Sequence, residues 1–279
     1  MAIQKNELSE IEEEILNMSE KLHNYYSDES LYSIMENTKN KKVFLKCMDN
    51  ILIPYLINKI RDPQTSQEMI FKLTLHPHSM VQHAIMKRDD VTPAMLKQMI
   101  DNSKSEEMMP MRYSIINHKK MNEETLYKLS DYDNNQILSL ILLTNIVSER
   151  IIKKLQYNND DEIRIMAKVR DPETDPKYIE KIIKRELRKA DRVKGDYINR
   201  SYGNIKPFLI NDTLEAAIRN PKLPTELVDL YKKFSKPTLV TLVIPHPNVS
   251  KELLDFYYTK GDEEVKSAVL KRTKEQHTH

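Results

Sequence analysis

The sequence predicts an all-α protein: an α-solenoid of about seven two-helix repeats behind an N-terminal helical cap. Two observations lead to this prediction. The 279 residues include only three glycines, which disfavours tight β-hairpins and glycine-rich phosphate loops because both need residues that accept positive φ. In addition, an apolar residue or threonine followed by a helix-capping residue returns seven times. A recurring period of this kind is typical of stacked helical repeats.

The N-terminal segment predicts the cap of the stack. Apolar residues from Leu8 to Leu22 recur at spacings of three and four, which predicts an amphipathic helix over about 7–26. Apolar-rich helices are expected at 30–37 and 41–61, with Pro54 either bending the second of these or marking its first turn. We therefore assign residues 1–60 to an N-terminal helical cap.

The first helix of each repeat is predicted from its capping residue. Six caps are residues whose side chains accept hydrogen bonds from the free N–H groups of a helix, and the remaining one is Pro224 followed by Thr225. The seven pairs are Thr65-Ser66, Val91-Thr92, Met121-Asn122, Val147-Ser148, Thr174-Asp175, Leu223-Pro224 and Val249-Ser250. Their spacings are 26, 30, 26, 27, 49 and 26 residues.

The second helix of each repeat is predicted from apolar residues at positions i, i+3 and i+4. Clear sets are Val81, Ala84, Ile85; Ile137, Leu140, Ile141; Ile163, Met166, Ala167; Leu214, Ala217, Ile218; Leu239, Leu242, Val243; and Val265, Ala268, Val269. The segment 108–116 fits only with a shift of about two residues. Prolines at the turns, such as Pro172 and Pro221, end the second helices.

Several of these stretches carry a resemblance to a known family. The turns at 171–174, 220–224 and 246–250, and the second-helix stretches Glu162–Ala167 and Glu264–Val269, resemble those of leucine-rich repeat variant proteins and short HEAT-like repeats. The resemblance covers about residues 62–271 and implies a right-handed α-solenoid that serves as a binding surface. Some members carry a cysteine-rich iron–sulfur domain, a feature that does not transfer to a chain whose one cysteine is Cys47.

The repeat pattern is interrupted once, by an insertion at about 184–209. The spacing of 49 between Thr174 and Leu223 exceeds the usual 26 by 23 residues, and insertions in repeat proteins often form the binding face. Residues 177–206 hold ten bases against four acids. The candidate partner-binding residues are Lys184, Arg185, Arg188, Lys189, Arg192, Lys194, Tyr197, Arg200 and Tyr202.

Three interpretations of this basic insertion stay open. It can receive a protein with an acidic surface, contact the phosphates and stack on the unpaired bases of a nucleic acid, or simply be solvated. A repeat protein that binds along a nucleic acid is expected to carry a basic residue at the same position of every repeat. Here the position that follows the first apolar residue of each second-helix set holds residues of different charge, such as Gln82, Arg164 and Glu215, which disfavours an extended nucleic-acid groove. Self-association is a further expectation, since residues 1–30 hold eight acids against two bases and could dock on the insertion of a second copy.

Signals for catalysis, metals and membranes are weak. Cys47 has no motif around it and no nucleophile elbow occurs. The cluster of His76, His78 and His83 could hold a metal, but the repeat pattern assigns it to a turn and a second helix, and it assigns His118 and His246 to turns. We therefore predict no cofactor and no metal. The expected function is that of a non-enzymatic adaptor or regulator that binds a protein through the concave solenoid face and the basic insertion; the alternative is a helical repeat protein that contacts nucleic-acid phosphates through the insertion. The first residues of the sequence are polar and acidic and contain no apolar region like that of a signal peptide, and no run of 18 apolar residues occurs, so we expect a cytoplasmic protein without membrane contact.

The predicted organisation follows from these assignments. Residues 1–60 form the helical cap, residues 61–271 form the HEAT-like repeat domain with its basic insertion, and residues 272–279 form a disordered tail.

Overall fold

A computed structural model describes residues 5–103, 109–193, 212–233 and 237–276. Within these ranges the chain forms α-helices and short 3₁₀ turns and no β-strand, which confirms the predicted all-α class. None of the described helices is both long and apolar enough to cross a lipid bilayer. The chain divides into two compact units, Met1–Thr125 and Leu126–His279.

The first unit begins with the segment predicted as a cap and continues with two helix pairs. Its helices are α1 (Lys5–Asn17), α2 (Asp28–Asn37), α3 (Lys41–Met48), α4 (Ile53–Arg61), α5 (Gln67–Leu73), α6 (Ser79–Met86), α7 (Pro93–Asn102) and α8 (Met109–Ile116). Helices α1 and α2 pack on α3, while α6 packs on both α4 and α8. Alternate helices from α4 to α8 therefore form a continuous layer within this unit.

The second unit repeats this arrangement over more helices. They are α9 (Glu123–Leu129), which contains the boundary between the units, α10 (Asn135–Leu142), α11 (Glu149–Leu155), α12 (Asp161–Arg170), α13 (Pro176–Val193), α14 (Asp212–Ile218), α15 (Thr225–Val228), α16 (Pro237–Val243), α17 (Lys251–Lys260) and α18 (Glu263–Gln276). The helices α10, α12, α14, α16 and α18 pack one on the next. Within each unit, successive second helices are neighbours.

The predicted capping residues hold the starts of the first helices. Ser66, Thr92, Ser148 and Ser250 each accept a hydrogen bond from the backbone N–H three residues on, at 3.0–3.4 Å. Asn122 accepts from Thr125 at 2.9 Å, and Asp175 accepts from Lys177 at 2.9 Å. Pro224 begins α15 without a side-chain cap. Six of the seven predicted caps are thus confirmed.

Four of the predicted apolar sets lie in the core: those of α6, α10, α12 and α14 are buried. In α16 and α18 the burial is partial, since Leu242 and Ala268 are half-buried. In the 108–116 segment, by contrast, α8 buries Ile115 and Ile116 together with the guanidinium of Arg112, which donates to the hydroxyl of Ser103 at 3.3 Å. Burial lowers the pKa of Arg112. A buried arginine in place of an apolar anchor explains why this repeat fitted the pattern poorly.

Two of the N-terminal helices are shorter than predicted. The helix expected over 7–26 ends at Asn17, and a 3₁₀ turn follows at Leu22–Asn24. At this end the ammonium of Lys46 binds the backbone carbonyls of Ile15 and Met18, which satisfies acceptors that a helix terminus leaves free. These contacts come from a helix distant in sequence.

The segment predicted as one helix over 41–61 is two helices, α3 and α4. Between them the carboxylate of Asp28 accepts a hydrogen bond from the N–H of Leu52 at 3.0 Å. Pro54 lies in the first turn of α4, where a proline needs no backbone donor. Of the two roles expected for Pro54, marking a first turn is therefore the one observed.

The C-terminal tail also differs from the prediction. Helix α18 continues through Gln276, so residues 272–276 are helical rather than part of a disordered tail, and residues 277–279 lie outside the described ranges. In this helix Val265 and Val269 are buried, and the hydroxyl of Thr273 donates to the carbonyl of Val269 at 2.9 Å. The predicted boundary at residue 60 stays a prediction.

Candidate functional site

Helix α13 differs from the other first helices in its length. It has 18 residues, whereas the other described first helices, α5, α7, α9, α11, α15 and α17, have 4 to 10. Its buried face consists of Ile179, Ile182, Ile183 and Leu187, at the spacings of three and four that define one side of a helix. The extra turns at its C-terminal end enter the predicted insertion.

The opposite face of α13 is a row of exposed cations. Lys177, Lys181, Lys184 and Arg188 are all exposed, and their spacings of four, three and four place them on one side of the helix. We call these four residues the basic stripe. Its ends, Lys177 and Arg188, are eleven positions apart, which corresponds to about 16 Å along a helix axis.

Two further cations of α13 serve its own fold. The carboxylate of Glu186, whose side chain is 7% exposed, accepts from Arg185 Nε at 2.7 Å and from Lys189 Nζ at 2.9 Å. A buried carboxylate without partners would be costly, so Arg185 and Lys189 stabilise the helix in this position. Both side chains are partly exposed, but because they pair with Glu186 we do not assign them to the partner-binding surface.

The basic stripe itself is only lightly neutralised. Lys184 forms an ion pair with Glu180 one turn away. Within the described ranges, the side chains of Lys177, Lys181 and Arg188 form no hydrogen bond or ion pair. Three exposed charges on one side of a helix therefore remain for an external anion.

The structure places only part of the predicted site. Lys184, Arg185, Arg188 and Lys189 lie on α13 with exposed side chains. Arg192 also lies in α13, although its side chain is outside the described part. Four further candidates lie outside the described residues altogether: Lys194, Tyr197, Arg200 and Tyr202.

The candidate set missed two members of the stripe. Lys177 and Lys181 precede the predicted insertion, so they were left out of the site although they lie on the same face as Lys184. The signal that identifies them is their helical spacing to Lys184 and Arg188, which is visible in the sequence.

Tyrosine rings near other cations of the second unit are already occupied. The guanidinium carbon of Arg150 lies 3.5 Å from the ring centroid of Tyr127, and Lys154 Nζ lies 4.3 Å from it. On α13, the ring of Tyr178 has Lys168 Nζ at 5.9 Å. Such cation–π contacts use the ring faces, which a nucleic-acid base would need for stacking.

His118 and His246, which the sequence placed in turns, connect neighbouring repeats through hydrogen bonds. Nε2 of His118 lies 2.9 Å from the carbonyl of Met86, and Nε2 of His246 lies 3.0 Å from that of Asn220. In both, Nδ1 accepts from the backbone N–H two residues on. Burial lowers the pKa of His246. Their role is structural, as the turn assignment predicted.

The same turn position makes similar contacts elsewhere. Arg88 donates to the carbonyls of Ile60 and Asp62. Asn220 donates to the carbonyls of Val169 and Asp171 at 3.1 and 3.0 Å. We call Arg88, His118, Asn220 and His246 the turn ladder, because each side chain binds a carbonyl at or near the preceding turn. The ladder satisfies carbonyls that would otherwise lack partners at helix ends.

The remaining histidine cluster belongs to the turn before α6. His78 caps α6 by accepting from the N–H of Met80 at 3.2 Å, and buried His76 accepts from the N–H of His78 at 3.1 Å. Burial lowers the pKa of His76 to about 4. His83 is exposed on α6. In the described part of the chain, no group of three or more histidine, cysteine, aspartate or glutamate side chains is arranged to hold a metal ion.

Comparison of the chain with protein-family models, with curated proteins and with solved structures finds no match. The geometry of the chain itself therefore carries the functional argument.

Proposed function

We propose that this protein is a non-enzymatic adaptor or regulator that binds an acidic protein surface through the basic stripe of α13. The observation that carries the proposal is the uninterrupted row of Lys177, Lys181, Lys184 and Arg188 on one exposed helix face. Cations in a row of this kind steer an oppositely charged partner and fix its orientation.

We further propose that the helix pairs form a right-handed α-solenoid of the leucine-rich repeat variant or HEAT-like kind. Three observations support this: the capping residues recur at the start of the first helices, successive second helices pack together within each unit, and four equivalent turn residues each bind a carbonyl at or near the preceding turn. A solenoid presents an extended concave surface suited to binding another macromolecule. We place the protein in the cytoplasm on the grounds given by its sequence.

A protein partner is favoured over nucleic acid by the extent of the charged surface. The stripe is confined to one helix, whereas duplex binding by a repeat protein uses cations from repeat after repeat. Three unpaired cations are few for a phosphate-binding surface, since the affinity of such a surface rises with the number of phosphates it neutralises.

The test replaces the stripe while keeping the fold. A variant with Lys177→Gln, Lys181→Gln, Lys184→Gln and Arg188→Gln removes four charges at positions exposed to solvent, where glutamine is an equally good helix former. Arg185 and Lys189 stay unchanged because they neutralise buried Glu186. The matched control removes four charges from exposed lysines elsewhere in the second unit: Lys153, Lys251, Lys260 and Lys271.

The measurement is affinity capture from the native cell, with quantification of every co-purifying protein. A partner that is retained by the wild type and by the control but is lost from the stripe variant supports the proposal. Equal recovery of all partners by the stripe variant contradicts it. Circular dichroism melting confirms that the two variants are folded equally well.

The nucleic-acid alternative is separated by fluorescence anisotropy. Labelled 30-nucleotide single strands and duplexes of DNA and RNA are titrated at 50 mM and 200 mM salt. Binding through phosphates must weaken steeply over this range. If the wild type binds DNA or RNA in a salt-dependent way and the stripe variant does not, the partner of the stripe is a nucleic acid and not an acidic protein.

Self-association is a variant of the same proposal in which the acidic surface is α1 of a second copy. Helix α1 exposes Glu10, Glu13 and Glu14, whose negative charge is opposite to that of the stripe. Sedimentation at low salt and high concentration tests this: a dimer that the stripe variant abolishes supports it, and a strict monomer in the wild type excludes it.

A further inference from the structure

A shallow groove of about 290 Å³ lies on the first unit, lined by residues of α4, α6 and α8. Its floor is apolar: Ile57 comes from α4, Met80 and Ala84 from α6, and Met111 from α8. Met80 is 57% exposed. A long unbranched thioether left open to solvent adapts its shape to an incoming apolar group.

Cations border this floor. Arg61 is the last residue of α4, and Lys87 directly follows α6. Both side chains line the groove and are exposed. In the described part of the chain, neither side chain forms a hydrogen bond or an ion pair. Among the described residues, His83 is the third ionisable residue of the lining, and no carboxylate belongs to it. Its charge therefore calls for an anionic occupant.

We propose that this groove binds a peptide segment in which one or two aliphatic side chains are flanked by carboxylates. The apolar floor accepts the aliphatic side chains, and Arg61 and Lys87 pair with the flanking carboxylates. Burying an apolar side chain beside charge-assisted contacts combines affinity with a fixed orientation. The described lining residues include no phenylalanine, tyrosine or tryptophan, so the large ring faces on which nucleic-acid bases stack do not occur among them.

The groove is independent of the basic stripe of α13. It lies on a different unit and uses different helices. The peptide site therefore goes beyond the function proposed above, and failure of one proposal leaves the other in place.

The test uses the full chain and a fluorescein-labelled ten-residue peptide with two leucines at its centre and two glutamates on each side. Anisotropy measures its affinity for the wild type at low salt. Arg61→Gln with Lys87→Gln should weaken binding about tenfold, and Met80→Ser should weaken it several-fold because the floor loses its adaptable side chain. The matched control is Lys41→Gln with Lys42→Gln, which removes two exposed cations of α3 outside the groove and should bind as the wild type does.

Two peptide controls separate a groove from general attraction to acidic chains. Replacing the two leucines by serine should abolish saturable binding, and so should replacing the glutamates by glutamine. The proposal is overturned if the serine peptide binds as tightly as the leucine peptide, or if the Arg61 and Lys87 variant binds like the wild type. It is also overturned if the groove variants abolish a self-association of the chain that the wild type shows, since the occupant would then be a second copy. The α13 stripe variant should retain peptide binding.

Discussion

The turn ladder leads to a quantitative prediction at Asn220. This residue is 1% exposed and lies between α14 and α15. Its amide nitrogen donates to the carbonyls of Val169 and Asp171 at 3.1 and 3.0 Å, and its amide oxygen accepts from the N–H of Lys222 at 3.0 Å. One side chain therefore joins two turns that are about 50 residues apart in sequence.

Asn220→Ala removes all three hydrogen bonds. Each contributes about 0.5–1.5 kcal/mol, and the backbone groups left behind are buried without partners, so we expect the free energy of unfolding to fall by about 3 kcal/mol. For a unit of this size, each kcal/mol lowers Tm by about 2–4 °C, which gives a shift of about 6–12 °C. Asn220→Asp should cost at least as much, because it turns a carboxylate oxygen towards two carbonyls.

Urea denaturation followed by circular dichroism measures these differences. Asn248→Ala is the matched control, since Asn248 is half-buried and its amide donates only to the carbonyl of Leu223, at 2.8 Å; we expect a loss of about 1 kcal/mol. The prediction is refuted if the free energy of unfolding of Asn220→Ala lies within about 0.5 kcal/mol of that of the wild type. It is also refuted if the loss is no larger than that of the control, because the hydrogen bonds of Asn220 would then not stabilise the fold.

Three further predictions concern buried groups. The pKa of His76 is lowered to about 4 in the folded chain, so between this value and its ordinary pKa of about 6.5 the unfolded chain binds the proton more readily, and the free energy of unfolding should be about 2 kcal/mol lower at pH 5 than at pH 7. His76→Asn should flatten the pH dependence of urea unfolding, and an unchanged pH profile contradicts a lowered pKa of His76. Burial raises the pKa of Cys47 to about 12, so a disulfide reagent at pH 8 should label it only after denaturation; rapid labelling of the native protein would disagree. Tyr231→Phe removes a buried hydroxyl that donates to the carbonyl of Leu214 at 2.6 Å and should cost about 1–2 kcal/mol in urea unfolding, whereas a neutral effect would rule out this bond as a stabilising contact.

Capping was predictable because its chemistry is local. Ser66 and Ser250 bind an N–H three residues away, so the residue type and the next few positions determine the bond. The turn assignment of His118 and His246 was predictable for a related reason, since the repeat places them at equivalent positions. Their partners, Met86 and Asn220, lie 32 and 26 residues earlier and were not predictable.

Failures of the sequence prediction involve contacts between distant residues. The first helix ends at Asn17, where Lys46 binds the carbonyls of Ile15 and Met18, although the apolar pattern continues beyond that point. In the candidate site, Arg185 and Lys189 carry the same charge as Arg188, but the burial of Glu186 gives them a different role. Charge alone does not distinguish a cation that faces solvent from one that neutralises a buried acid.

By itself the sequence determined the helical class, the starts of the first helices and the apolar sets of the second helices, because these depend on residue type and on helical spacing over a few turns. Only the tertiary structure decided where the N-terminal helices stop, which cations of α13 remain unpaired and which residues of three separate helices line one groove. The physical reason is that hydrogen bonds, ion pairs and burial depend on distances in space, and the packing of helices brings together groups that the chain keeps far apart.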